Sequence, residues 1–269
     1  MEAETLAGAS ATQRAASAAT LTVATWNIHG AIGCDGRYAP ARIVDVLGEI
    51  DADVVALQEV ASAQVHSDFL SGLEHETGYH VVAGLLRQRH GSDFGNAVLS
   101  RFPVRSVERL DLAIDDYEPR GALDVCLDIG LPLPIRVVAT HLGLRPGERR
   151  EQVRRILAVL EREPPHPTML MGDLNEWYLW GRPLRWLRSH FRAMPVAPRT
   201  FPSRRPVFAL DRIWVSPGAS VRRLANHSSA LARIASDHLP LIAEVVVSSD
   251  RTRTAATESA SSECPRQGP

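Results

Sequence analysis

The sequence predicts an α/β protein in which sheets pack on one another with helices outside. Three observations lead there. Apolar runs alternate with amphipathic segments through most of the 269 residues. Several runs are dense in Val, Ile and Leu, as strands buried on both faces are. Between residues 80 and 140, strand-like runs follow one another with no helical period between them, which a purely doubly wound sheet does not allow.

Taken in chain order, strands are expected at Leu21 to Ile28, Asp53 to Gln58, His80 to Leu85, Asn96 to Ser100, Ala122 to Ile129, Ile135 to Thr140, Thr168 to Met171, Asp211 to Val215 and Leu241 to Val247. Helices are expected at Pro40 to Ile50, Val65 to Glu76, Gly147 to Arg162 and Pro183 to His190. In the third helix Val153, Ile156, Leu157 and Leu160 draw one apolar stripe for the core, with Glu148, Arg149, Glu151 and Arg155 turned to water. No repeat of solenoid length is present.

One domain, 20–248, accounts for these elements, a size that α/β folds hold in a single core. The flanks, 1–19 and 249–269, are rich in Ala, Ser and Thr and are expected to be disordered. A formal net charge of -1 makes no case for a polyanion partner at the level of the whole protein, so phosphate binding has to be local. Every basic residue is Arg, a bias that fits a GC-rich genome better than a function. Cys34, Cys126 and Cys264 have no metal-ligand spacing and form no disulfide framework. With no signal-peptide core and no membrane-spanning run, the expectation is a cytoplasmic monomer.

The informative residues stand at strand ends. Asn27 and His29 follow the first apolar run, Gln58 and Glu59 the second, His141 a later one, and Asp173 and Asn175 close "TMLMGDLN". Asp211 opens a strand, while Asp237 and His238 precede the last. A lone Asp after a strand is ordinarily a turn former. Polar groups this costly to desolvate, recurring after Val, Ala and Leu, point instead to one shared cleft. Carboxylates at Glu59 and Asp237 are hard oxygen ligands suited to Mg²⁺ or Mn²⁺, and no Cys/His cluster speaks for zinc. A hard divalent ion implies an oxyanion substrate. His141 and His238 can polarise or protonate a phosphoryl oxygen, and Asn27 and Asn175 can orient ligands without adding charge. Hydrolysis of a phosphate ester fits this set.

The ordered motifs "TWNIHG", "LQEV", "GNAVLS", "THLG", "GDLNE", "LDRIWVS" and "SDHLP" resemble the endonuclease/exonuclease/phosphatase superfamily from about Thr22 to Val246. That resemblance implies a four-layer α/β/β/α sandwich of two packed mixed sheets flanked by helices, with the site at the strand-end rim. It implies a metal site at Glu59 with Asp237 and Asn27 nearby, and Asp173 and Asn175 positioning or activating the attacking water. His238 would contact the scissile phosphate and Asp211 would orient His238. His141 matches a histidine of the deoxyribonuclease and sphingomyelinase branches, which points away from abasic-site repair. Some members carry a carboxylate where this chain has His29, so a second acidic ligand there is not expected; His29 is either a supporting group or a rim residue.

Other positions carry two readings each. Arg120 is a phosphate contact or a solvated turn arginine, and Asn96 a site residue or a strand-opening turn residue. Arg204 and Arg205, with Arg199, form a substrate clamp or a solvated face. Trp177 and Trp180 stack bases or meet a lipid interface, or simply pack. The loop "GCDGRY" is a site wall or a connecting turn. The expected function is therefore a Mg²⁺-dependent phosphodiester hydrolase acting on nucleic acid, a phospholipid head group or a small phosphodiester. The alternative is a catalytically silent phosphate-binding module on the same fold, which should have lost some of the acid and histidine groups that this chain retains.

Overall fold

The computed structural model describes residues 18–62, 68–87, 93–162, 166–191 and 195–248. Eleven strands among them form two sheets. The first contains β1 (Ala18–Asn27), β2 (Val54–Ser62), β3 (His80–Arg87), β4 (Asp93–Ser100), β10 (Ala219–Asn226) and β11 (Leu241–Ser248), in the order β10-β11-β1-β2-β4-β3. The second runs in chain order through β5 (Val104–Asp111), β6 (Gly121–Leu127), β7 (Ile135–His141), β8 (Thr168–Asp173) and β9 (Asp211–Val215).

Period-two alternation sorts the side chains into layers. From β1, Leu21 and Val23 join Val125, Val137 and Met171 of the second sheet in the core between the sheets. The intervening Ala24 and Trp26 face outward onto α1 (Pro40–Ile50), α2 (Asp68–Thr77) and α5 (Ala232–Ala235). On the other side Val138, Leu170 and Trp214 meet α3 (Pro146–Leu160) and α4 (Arg182–Phe191). These are the four layers of an α/β/β/α sandwich of two packed mixed sheets.

Each sheet has one parallel pair, β1 with β2 and β7 with β8, joined through α1 and α3 respectively. The remaining pairings are antiparallel. A parallel pair ends both strands at the same edge. Asn27 and Glu59 therefore leave the first sheet together, and His141 and Asp173, opposite each other in register, leave the second.

Several expectations need correction. Ala18 and Ala19, assigned to a disordered flank, open β1, with Ala18 opposite Ser248; the rest of both flanks lies outside the described residues. Strands β5 and β10 were not expected. Both are edge strands whose alternation is diluted by Arg, Glu and Asp, the charged composition that protects a free edge. The short α5 was also missed. Residues 65–67 of the second expected helix lie outside the described residues. In α3, Glu148 and Arg149 are buried rather than turned to water. Arg149 donates to both carboxylate oxygens of Glu176 at 3.3 Å and to the Leu144 carbonyl at 2.6 Å, so α3 grips the loop that follows β8.

One buried ion pair braces the second sheet on its helical side. Arg136 Nε donates to both Asp124 oxygens at 2.8 Å, with both side chains at most 5% exposed. Asp124→Ala should lower stability by about 3 kcal/mol, because it leaves a guanidinium in the core without this carboxylate. Asp124→Leu with Arg136→Met should recover most of that loss in urea unfolding. A double variant no better than the single would show that the pair is itself a large source of stability.

Candidate active site

The two rims face each other across a cleft of about 250 Å³ lined by Asn27, Glu59, Arg120, His141, Asp173, Asn175, Asp237 and His238. Local backbone devices aim these groups. The β2–β4 ladder slips between Leu57 and Val60, and Glu59 in the bulge takes φ 56, which turns its carboxylate off the strand. Gln58 stays buried, exchanging hydrogen bonds with the Thr25 hydroxyl at 3.1 and 3.2 Å, and anchors the bulge. At the end of β8, Gly172 has φ +152, and a Cβ there would lie 1.8 Å from the Thr140 carbonyl oxygen. Only glycine fits, so β8 lies tight against β7 while presenting Asp173 beside His141.

Asp173 is the hub. Its Oδ1 accepts from the Asn175 backbone N–H at 2.9 Å and its Oδ2 from Asn27 Nδ2 at 3.2 Å. The same Oδ2 is 3.6 Å from His141 Nε2 and 3.7 Å from His238 Nε2. Burial raises this carboxyl, and Asp211 adds to the effect while His238 and the two asparagines oppose it, leaving it at about 6. An elevated carboxylate is the more effective proton acceptor.

The two histidines differ. His238 Nδ1 donates to Asp211 Oδ2 at 2.9 Å, and the Thr200 hydroxyl donates to the same oxygen. Burial works against a charge on His238, but the Asp211 and Asp173 carboxylates and the Nδ1 hydrogen bond outweigh it and hold the imidazole at about 10. It is an imidazolium at neutral pH. His141 is shifted well below the usual imidazole range by burial first, then by Arg120 and His238. Asn175 Nδ2 reaches both the Leu142 carbonyl and His141 Nε2 at 2.9 Å, so its amide is oriented to donate and that nitrogen accepts.

Glu59 and Asp237 both line the cleft and offer oxygen donors. Among the described residues the Glu59 carboxylate receives one hydrogen bond, from Asn27 Nδ2 at 2.9 Å, and no arginine pairs with it. Carboxylates lining one cleft and this little neutralised fit a hard divalent cation. Asn27 presents its nitrogen to Glu59 and Asp173 while its oxygen accepts from the His29 N–H at 3.0 Å, so in this arrangement it orients carboxylates. Asp173, Asp211 and His238 also bring ligand atoms within 4.8 Å of one another. In this arrangement Asp211 Oδ2 accepts from Thr200 and His238, while its Oδ1 has no hydrogen-bond partner among the described residues.

The other expected site residues divide. Arg120 reaches the cleft, with Nη1 at 3.4 Å from His141 Nδ1 and Nη2 donating to Glu118 at 2.8 Å. Asn96 is buried outside it, donating across the sheets at 2.9 Å to the carbonyl of Gly121, the residue after Arg120. Arg204 is exposed, with one contact to the Cys34 carbonyl at 3.4 Å, and Arg205 is exposed; neither lines the cleft. His29 is exposed on the rim. The 33–38 loop is a turn pinned to α5 through Cys34 N–H and the Ile234 carbonyl, and it does not wall the cleft. Trp177 does line the cleft, and Trp180 does not.

Sequence reasoning missed Thr200, Phe201 and Ser236. Phe201 packs on His238 with ring centroids 4.8 Å apart. The Ser236 hydroxyl donates to the Asn27 carbonyl at 2.7 Å and accepts from the His238 N–H at 3.2 Å, tying the last motif to the first. Ser236 lay within a quoted motif, "SDHLP", whereas nothing in the local pattern marks Thr200.

The electrostatics make a direct prediction. In EDTA-treated protein, ¹⁵N imidazole spectra should show His238 protonated on both nitrogens and His141 neutral from about pH 7 to 9. Because the folded value of His238 lies above the ~6.5 of an unfolded imidazole, its pairing stabilises the fold fully below about 6.5. That contribution is lost as pH rises through about 10. A neutral His238 at pH 8 would contradict the assignment.

Comparisons with known proteins agree with this fold. Residues 24–238 match the model of the Endonuclease/Exonuclease/phosphatase family. The uncharacterized protein YbhP of Escherichia coli K12 is 32% identical over 255 residues, covering 83% of this chain and 95% of that protein. An endonuclease/exonuclease/phosphatase structure from Beutenbergia cavernae superposes with TM-score 0.69 at 26% identity, over 85% of this chain and 72% of that one. The mannosyl-6-phosphatase Bt3783 of Bacteroides thetaiotaomicron shares the fold, with TM-score 0.63 at 20% identity over 84% of this chain and 99% of that one. With the family model spanning nearly all of the described fold and the same strand-end acids and histidines meeting in one cleft, the chain belongs to the Endonuclease/Exonuclease/phosphatase family, a family of phosphoesterase hydrolases that generally depend on divalent metals.

Proposed function

We propose that this protein is a Mg²⁺- or Mn²⁺-dependent phosphodiesterase. The observation that carries the reading is the meeting of a raised carboxyl, Asp173, with an Asp211-held imidazolium, His238, 3.7 Å apart beside Glu59. Base and acid poised within one cleft are what hydrolysis by water requires.

Each side chain then has a task. Asp173 takes the proton from the attacking water, and Asn175, fixed by Leu142, orients that water beside it. His238 donates a hydrogen bond to a non-bridging phosphoryl oxygen, and Asp211 keeps its imidazole charged and aimed. Arg120 adds a fixed positive charge to the same wall. His141 stays neutral and lends a hydrogen-bonding edge without adding positive charge beside the cation. Glu59 and Asp237 would hold the metal ion, which supplies polarisation of the phosphate.

The silent binding module is disfavoured, since the whole set of acids and histidines is retained in one cleft. With net charge -1 and no basic stripe, a phosphodiester other than duplex DNA is the better fit, a single-stranded nucleic acid, phospholipid head group or small diester. Cys34 and Cys126 are free thiols, and no described helix is long and apolar enough to cross a membrane; a monomer in the cytoplasm accords with both.

Turnover of bis(p-nitrophenyl) phosphate should require Mg²⁺ or Mn²⁺ and vanish in EDTA. Glu59→Ala and His238→Ala should each cut kcat by about 10² to 10⁴. Wild-type turnover in Asp173→Asn would remove Asp173 as the base. No turnover of any nucleic acid, phospholipid or sugar phosphate with either metal would favour the binding module.

A further inference from the structure

Beside the catalytic cleft lies a larger hollow of about 710 Å³ between α4, β9 and the 195–209 segment, and Trp177 stands in the walls of both. Arg188 from α4, Arg199 from the segment after it and Arg212 from β9 all line this hollow, and no acidic residue does. Arg212 is 4% exposed. Its Nη1 donates to the Asp211 carbonyl at 2.9 Å, and among the described residues it forms no ion pair. Arg188 and Arg199 are exposed and likewise form none.

A guanidinium taken out of water without a carboxylate is costly, and like charges converging on it raise the cost. Burial depresses Arg212 to about 10, with Asp211, and more weakly Asp173 and Glu176, opposing and Arg188 adding to the depression. It nonetheless keeps its charge at neutral pH. The rest of the wall is aromatic and apolar, with Trp177, Trp180 and Phe208 prominent. Trp177 is set edge-on against Phe208, ring centroids 4.7 Å apart, so it is held as a rigid partition between the hollow and the cleft.

We propose that this hollow is a subsite for the non-reacting arm of the substrate, taking a phosphate or similar anion carried on an aromatic or apolar moiety. The inference rests on the phosphodiesterase reading for its word "substrate". The three arginines supply planar, multidentate recognition of the anion. Trp177 and Trp180 supply flat surface for the body that carries it.

Binding of 1-naphthyl phosphate to EDTA-treated protein, followed by isothermal titration calorimetry, tests the subsite without turnover. Wild-type protein should bind saturably. Arg188→Glu with Arg199→Glu, both exposed positions, should weaken Kd at least about tenfold. His238→Ala should retain the binding. Absence of saturable binding, an unchanged Kd in the double variant, or loss of binding in His238→Ala would each overturn the subsite, the last by placing the probe in the cleft. If the probe binds as expected and no phosphodiester is hydrolysed, the anion subsite stands and the phosphodiesterase reading fails.

Discussion

Two parallel strands cannot be joined by a tight turn, because the chain must first travel back to the starting edge, ordinarily through a helix. This chain makes that journey once in each sheet, through α1 and through α3, and so delivers four strand ends to one rim. The rest of the site follows from that geometry. Asn27 and Glu59 approach from one sheet, His141 and Asp173 from the other, and the close packing of the two sheets sets the distances between them. The antiparallel strands widen the sheets and bury the core, and the last of them is introduced by the Asp237–His238 pair.

Burial on that rim gives each ionisable group a separate character. Asp211 is fully buried and spends one oxygen on His238 and Thr200, which keeps His238 cationic. His238 and Asn27 in turn limit how far Asp173 rises. His141, held down by burial and then by the charges of Arg120 and His238, remains neutral although it sits no farther from Asp173 than His238 does. Two chemically identical imidazoles thus acquire different charge states from burial and the charges around them.

Much of this was legible in the sequence, and the gaps have physical causes. Buried strands such as β7 announce themselves, since both faces need apolar residues. Edge strands such as β5 do not, since one face and one edge meet water and the chain carries charge there. The cleft residues were legible because an Asp or His after an apolar run has a desolvation cost that asks for an explanation. Their supports were not. Thr200 serves Asp211 from a loop eleven positions upstream, and Arg149 reads as a solvated helix position until the loop carrying Glu176 is folded against it. Asn27 marks a subtler limit: its place in the cleft was readable, but which end of its amide faces the carboxylates depends on the His29 N–H. Arg212 shows the same limit from the other side, since its neighbours Asp211 and Ile213 hide the fact that period two sends it to a different layer.

The placement of β11 bears on how the cleft is completed. That strand lies between β10 and β1, so the most C-terminal of the described strands sits inside the first sheet rather than at its edge. Until it inserts, β1 lacks a partner on one side, and the Trp26 indole has no His238 carbonyl to meet at 2.9 Å. His238 and Asp237 arrive with it. The lining of the cleft thus depends on two distant parts of the chain: Glu59 comes with β2, and Asp237 and His238 come only with the strand that inserts beside β1.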